Sequence, residues 1–236
     1  MNQPEILAPG VLVYRNIFTE DMNLINRLED CLSQDSNIKG AGFSGAKNST
    51  HSHYSWNQAT TGFGQNNLKY RDCFDFKIKK NTEDNTGKSE DQIKLEQIWE
   101  DAKNAQILPI QDYCQKFNIA PLKYWEAFNF VKYGKDQHFQ LHSDHGYSYI
   151  CVLSSVGYIN DDYEGGELYF DKFNLKIKPK AGDLYLFPSS YLFSHAAMPV
   201  TSGTKYSIVT MLDYLEAAHT PEYRILEKKY NNGDLA

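Results

Sequence analysis

The chain has 236 residues, 41% of them hydrophobic and 14% aromatic, enough apolar material for one sizeable core and a single domain spanning 1–236. A formal net charge of −6, with no basic cluster beyond Lys77 to Lys80 and Lys228-Lys229, argues against nucleic-acid binding. No apolar run approaches the roughly 20 residues of a membrane span, no leader pattern opens the chain, and the four cysteines are too scattered for a zinc knuckle or disulfide framework, so a reduced, cytoplasmic protein with no membrane partner is expected.

Val11-Leu12-Val13-Tyr14 reads as a short strand, after which Thr19 is placed to cap a helix with the apolar stripe Leu24, Ile25, Leu28 and Leu32. Residues 40–67 are rich in Gly, Ser, Thr and Asn, with Tyr54 and Trp56 interspersed, the mark of a long surface loop of the kind that serves as a lid. Residues 70–78 predict a strand with Phe74, Phe76 and Ile78 on one face, and 79–89 a turn or loop. Ile93, Leu95, Ile98, Trp99 and Ala102 fall at helical spacing. A second helical segment around 113–117 follows Pro109, which is expected to end or kink the first. Residues 1–123 are thus read as helix-rich support.

From Tyr124 the pattern turns to β. Short runs at 124–133, 138–144, 147–153, 167–170, 175–178, 183–187, 193–200 and 205–213 are separated by turn residues such as Gly165-Gly166 and Thr201-Ser202-Gly203. They describe a sandwich or barrel over 124–214, followed by a tail at 215–236, and give an α+β fold as a whole.

His142-Ser143-Asp144 places two potential metal ligands two residues apart, which in an extended segment puts both side chains on one face. His195, in a later run, is the candidate third ligand. Two imidazoles and a carboxylate on one face of an octahedron form the facial triad of non-haem Fe(II) oxygenases, with positions left open for cosubstrate and O₂. Ten positions beyond His195, Lys205 would share a face with Ser207, Val209 and Met211, and a buried ammonium there needs an anionic partner. Tyr133, nine positions before His142, is placed to add a hydroxyl. The alternatives are a surface lysine and a core tyrosine. His145 is read as a rim residue. His138 falls on the face of His142 but about 13 Å away at strand rise, and His51-Ser52-His53 lacks the partners of a second metal site.

Taken in order and spacing, several motifs resemble the 2-oxoglutarate/Fe(II) dioxygenases of the prolyl 4-hydroxylase type. They are Tyr133-Gly134, His142-Ser143-Asp144, Glu164-Gly165-Gly166-Glu167-Leu168, Ala181-Gly182-Asp183 with Leu186-Phe187-Pro188-Ser189, and His195 with Pro199 to Lys205. The resemblance implies a double-stranded β-helix, or jelly roll, with Fe(II) held by His142, Asp144 and His195. It also implies 2-oxoglutarate chelating the iron, its C5 carboxylate paired with Lys205 and assisted by Tyr133. O₂ would be the second cosubstrate and ascorbate a candidate reductant. Tyr149, or Tyr147, is a further candidate to reach the cosubstrate, with core packing the alternative. A carboxylate at Asp144 implies hydroxylation, since halogenating relatives carry a small residue there. The substrate implied is a prolyl residue of a peptide or protein. Free amino acids and small metabolites stay open, as does a non-catalytic metal-binding jelly roll.

Overall fold

The computed structural model describes residues 3–32, 54–61, 66–80, 84–146 and 149–219. The strands are β1 (Glu5–Ala8), β2 (Val11–Tyr14), β3 (Asn57–Gln58), β4 (Arg71–Asp72), β5 (Phe74–Ile78), β6 (Tyr124–Trp125), β7 (Phe128–Tyr133) and β8 (His138–His142). They continue with β9 (Leu153–Tyr158), β10 (Glu164–Gly165), β11 (Leu168–Phe170), β12 (Leu175–Ile177), β13 (Leu184–Pro188), β14 (His195–Ala197), β15 (Val200–Ser202) and β16 (Lys205–Asp213). The helices are α1 (Leu24–Glu29) and α2 (Glu90–Lys116).

Two antiparallel sheets form the jelly roll. The larger runs β1-β2-β13-β9-β16-β7-β5-β3, with β6 also on β16, and the smaller runs β12-β11-β14-β8-β4. The strand alternation of 2 sorts the large sheet's side chains into two cores. Phe128 and Phe130 of β7 and Ile208 and Leu212 of β16 face Leu24, Leu28, Ile98 and Ile110 of the helices. Val156, Tyr185 and Phe187 face Leu168 and Phe170 of the smaller sheet instead. The helices therefore brace one face of the large sheet, and the space between the sheets is left for the site.

Several expectations are corrected by tertiary context. Thr19 precedes a 3₁₀ turn at Glu20–Met22, and α1 begins only at Leu24, behind Asn23 in the left-handed region at φ 48°. Pro109 neither ends nor divides α2, which runs unbroken from its Ser89 cap to Lys116. Its missing N–H and ring clash cost about 3 kcal/mol in a helix interior, but both halves are pinned from outside. The Gln106 side chain accepts from Ser155 at 2.5 Å and donates to the Ala102 carbonyl, and the Tyr113 hydroxyl donates to the Gly10 carbonyl at 2.8 Å.

The expected strand at 70–78 is two strands in different sheets, parted at Cys73. β4 joins β8 in the smaller sheet and β5 joins β7 in the larger. Phe76 and Ile78 are buried against the helices, whereas Phe74 is 37% exposed. Within the expected loop at 40–67, residues 54–59 are packed rather than on the surface. Tyr54, Ser55 and Ala59 are buried and β3 pairs with β5. Most of the remainder, including His51 and His53, lies outside the described residues. The expected run at 147–153 is displaced: the strand is β9, starting at Leu153 and buried on both faces. Such a strand shows no polar alternation to read. Its Gly157 is required, since a Cβ there would lie 2.2 Å from the Phe18 ring and 2.7 Å from Ile208. The 193–200 run is likewise divided, with β14 in the smaller sheet and β15 paired with β10. The tail's first residues, Glu216–His219, form a 3₁₀ turn. Among the described residues no helix is long and apolar enough to cross a membrane. All four cysteines are buried free thiols.

Candidate active site

Three donor groups converge between the sheets. One ligand atom from each of His142, Asp144 and His195 lies within 4.8 Å of the others. His142 Nε2 is 3.6 Å from Asp144 Oδ1, and His195 Nε2 is 3.8 Å from Asp144 Oδ2. The register explains the meeting, because His195 of β14 is paired directly with His142 at the end of β8. Each imidazole has its Nδ1 at the carbonyl two residues before it, His142 at Gln140 O (2.8 Å) and His195 at Phe193 O (3.1 Å). An Nδ1–H donated to each carbonyl leaves both Nε2 lone pairs free to bind a metal.

The carboxylate is held as well. The Ser154 hydroxyl donates to Asp144 Oδ2 at 2.6 Å and lies 2.7 Å from the Ser189 hydroxyl, with both serines buried. Burial alone would raise the Asp144 carboxyl, but the His195 and His142 rings and the Ser154 hydroxyl hold it below the ordinary carboxylate range. Burial pushes His195 down to about 4, so it is neutral at pH 7. Two imidazoles and one ionised carboxylate, with no lysine or arginine bound to that carboxylate among the described residues, suit a divalent first-row metal ion.

A buried basic group stands on the larger sheet. β16 pairs Lys205 with Tyr133 of β7, and the Lys205 Nζ lies 4.2 Å from the Tyr133 ring centre and 6.0 Å from that of Tyr158. The ammonium is 1% exposed and donates to the Gly166 carbonyl at 3.1 Å. It has no carboxylate partner among the described residues, and burial pushes it down to about 7. An uncompensated buried cation of this kind is stabilised by a bound anion. Gly166, at φ 64°, makes room for it: a Cβ there would lie 2.9 Å from Tyr163 and 3.3 Å from Lys205 Cδ. Val209 and Met211, on the same face of β16, stay partly exposed.

Of the residues singled out in sequence, the structure brings together His142, Asp144 and His195, and separately Lys205 and Tyr133. Tyr149 lies away from Lys205. Its ring lies 5.3 Å from that of His219, which bonds Asp213 at the opposite end of β16 from Lys205. Eight residues of strand separate those ends by roughly 26 Å, so Tyr149 does not join the Lys205 anchor. The reason is that 149–152 is not a strand and its side chains do not alternate inward. Tyr147 lies outside the described residues. His145 is exposed, with its ring at the Cys151 carbonyl, and stands at the rim as expected.

His138 is not on the face of His142. A bulge in β8 matches two steps along β14, from His195 to Ala197, to three along β8, from His142 to Phe139. Phe139 therefore turns inward and His138 outward, where its ring meets the carbonyls of Asp136 and Lys69. Sequence reading missed Phe139, Ser154, Tyr158 and Arg71. Each acts across strands, where no local spacing marks it.

A jelly roll that carries a His-Asp-His cluster on one sheet and a buried lysine on the other is the frame of the 2-oxoglutarate/Fe(II) oxygenases. Residues 128–212 match the model of the 2OG-Fe(II) oxygenase superfamily, which supports a prolyl 4-hydroxylase-like 2-oxoglutarate/Fe(II) oxygenase. Among curated proteins it is 30% identical over 154 residues to a putative prolyl 4-hydroxylase of Acanthamoeba polyphaga mimivirus, covering 56% of this chain and 61% of that protein. It is 27% identical over 124 residues to human procollagen-lysine,2-oxoglutarate 5-dioxygenase 2, covering 52% of this chain and 17% of that protein. The chain thus spans about six-tenths of the viral relative and under a fifth of the human one.

Among solved structures, the viral collagen prolyl hydroxylase of Paramecium Bursaria Chlorella virus-1, in complex with 2OG, superposes with a TM-score of 0.57 at 14% identity over 87% of this chain and 97% of that one. A Trichoplax adhaerens prolyl hydroxylase, in complex with a hypoxia inducible factor oxygen degradation domain peptide, gives 0.60 at 13% identity over 92% and 86%. At these identities the structures establish the shared fold.

Proposed function

We propose that this chain is one catalytic unit that hydroxylates an unactivated C–H bond of a prolyl residue in a peptide or protein, consuming O₂ and 2-oxoglutarate and releasing succinate and CO₂. The observation that carries this reading is the pairing of a three-donor metal cluster on the smaller sheet with a buried ammonium, Lys205, on the larger one. A metal-binding jelly roll without turnover has no use for the second feature. Fe(II) bound there would supply the redox chemistry that couples decarboxylation of 2-oxoglutarate to oxidation of the substrate.

The chain's own residues hold and screen. His142 and His195 would give Nε2 to the metal, and Asp144 would give Oδ1 while Ser154 retains Oδ2. Lys205 would bind the C5 carboxylate of 2-oxoglutarate, with the Tyr133 hydroxyl beside it. Val209 and Met211 would keep that face of β16 apolar and exclude water around the reacting centre. Ascorbate would serve as the reductant that keeps the iron ferrous, and the free thiols favour a cytoplasmic setting.

A polypeptide substrate is supported by the viral relative's name and by the peptide bound to the Trichoplax neighbour. The discriminating experiment supplies Fe(II) and 2-oxoglutarate and measures succinate released with a proline-containing peptide, a lysine-containing collagen-like peptide and free proline. Stimulation by the proline peptide, with a mass gain of one oxygen on proline, is expected. Stimulation by free proline alone would replace the peptide reading with a small-metabolite one.

A further inference from the structure

The bulge in β8 brings Phe139 onto the inward face beside His142. The two rings stack face to face, with centres 3.6 Å apart and planes inclined by 15°. The strand on the other side pairs Arg71 with Phe139, and the Arg71 guanidinium carbon lies 4.8 Å from the Phe139 ring centre. Arg71 is itself anchored, donating to the Thr60 carbonyl at 2.8 Å and to Asp75 at 3.2 Å. Guanidinium, phenyl and imidazole are thus neighbours on three consecutive supports: β4, the bulge and the end of β8. His142 needs such a support more than His195 does. It closes β8 just before the turn that carries Asp144, whereas His195 is hemmed in by both Phe170 and Phe187.

We infer that Phe139 is a positioning residue for the metal site: its ring, held by Arg71, fixes the plane of the His142 imidazole so that Nε2 points at the metal before the metal arrives. A hydrogen bond from Nδ1 to the Gln140 carbonyl restrains one edge of the imidazole but leaves it free to rock about that bond. A stacked ring removes the rocking. A ligand ordered in advance loses less entropy when the metal binds, so the stack acts on metal affinity and spares the ordering of 2-oxoglutarate at Lys205. This rests on the reading of His142, Asp144 and His195 as the metal ligands.

The test is anaerobic Fe(II) binding, read as a dissociation constant, together with the visible spectrum of the Co(II)-loaded protein, which reports ligand geometry without turnover. Phe139→Leu is expected to weaken Fe(II) about tenfold, in the range that removal of groups supporting a metal ligand produces. It should also shift the Co(II) bands. Phe139→Tyr, which keeps the ring face, should stay within about twofold of the wild type. If Phe139→Leu does not fold, Phe139→Met, which restores volume without a ring, takes its place with the same expectation. Wild-type Fe(II) affinity and an unchanged Co(II) spectrum in a folded ring-less variant would overturn the inference. Failure of the wild-type protein to bind either metal would overturn the ligand assignment instead, which keeps the two readings apart.

Discussion

Lys205 faces Tyr133 across the ladder between β7 and β16, its Nζ 4.2 Å from the centre of the phenol ring, and among the described residues no carboxylate forms an ion pair with it. Burial pushes this ammonium down to about 7, well below the value of about 10.4 expected of an unfolded lysine. Between those values the unfolded chain binds one more proton than the folded one, so Lys205 makes the ligand-free protein more stable as pH rises, by up to about 1.4 kcal/mol per pH unit. A dicarboxylate beside Lys205 favours the charged form and reverses the balance. Binding of 2-oxoglutarate above pH 7 is expected to take up a proton, and its affinity to fall by up to about tenfold per unit toward pH 9. Calorimetry at pH 8 in buffers of different ionisation enthalpy reads the uptake directly, and buffer-independent heats would contradict it.

The metal cluster and the lysine should separate under mutation. Lys205→Ala leaves the triad intact, so Fe(II) binding is expected to persist while the 2-oxoglutarate dissociation constant rises about 30-fold or more, the effect of deleting one partner of a buried charged pair. His142→Ala or His195→Ala should abolish turnover by removing a direct metal ligand. Parallel Fe(II) and 2-oxoglutarate titrations of the three variants check this, and full turnover by both histidine variants would remove the triad from the account.

Ser154 gives a test of the carboxylate's support. Its buried hydroxyl bonds both Asp144 and Ser189, so Ser154→Ala frees Asp144 Oδ2 and leaves the Ser189 hydroxyl short of a partner. A stability loss of about 1–2 kcal/mol is expected in thermal unfolding, with Fe(II) binding weakened about tenfold. An unchanged Fe(II) affinity would make the serine pair a packing feature only.

Gly166→Ala should act on the anchor alone. The substitution meets a left-handed backbone at φ 64° and a crowded space between Tyr163 and the Lys205 stem. The fold should lose about 1–3 kcal/mol, and 2-oxoglutarate binding should weaken while Fe(II) binding does not. Equal weakening of both would show that the change spreads through the barrel.

The readable and unreadable parts of the site differ in how local they are. His142 and Asp144 are two residues apart, and a spacing of two carries its own geometry in an extended segment. The inward set Lys205, Ser207, Val209 and Met211 also follows from alternation, since β16 is regular over nine residues. The bulge between Phe139 and His142 has no such signature. It reverses the facing of His138 and creates the stack on His142, and only the pairing with β14 reveals it. β9 escaped for a related reason: Ser154 and Ser155 look like turn residues, yet each is satisfied by a side chain distant in sequence, Asp144 and Gln106. Pro109 misled because local propensity was weighed without the contacts of Gln106 with Ser155 and of Tyr113 with Gly10 that hold α2 on either side of it.

The most direct measurement of the central claim is an anaerobic titration of the Fe(II)-loaded protein with 2-oxoglutarate, followed through the weak visible charge-transfer absorption of an iron-chelated 2-oxo acid. A saturating band of one 2-oxoglutarate per iron is expected, absent in His142→Ala and displaced to higher 2-oxoglutarate concentration in Lys205→Ala. No band in the wild-type protein, with Fe(II) bound and 2-oxoglutarate not, would contradict the claim and leave a metal-binding jelly roll without oxygenase chemistry.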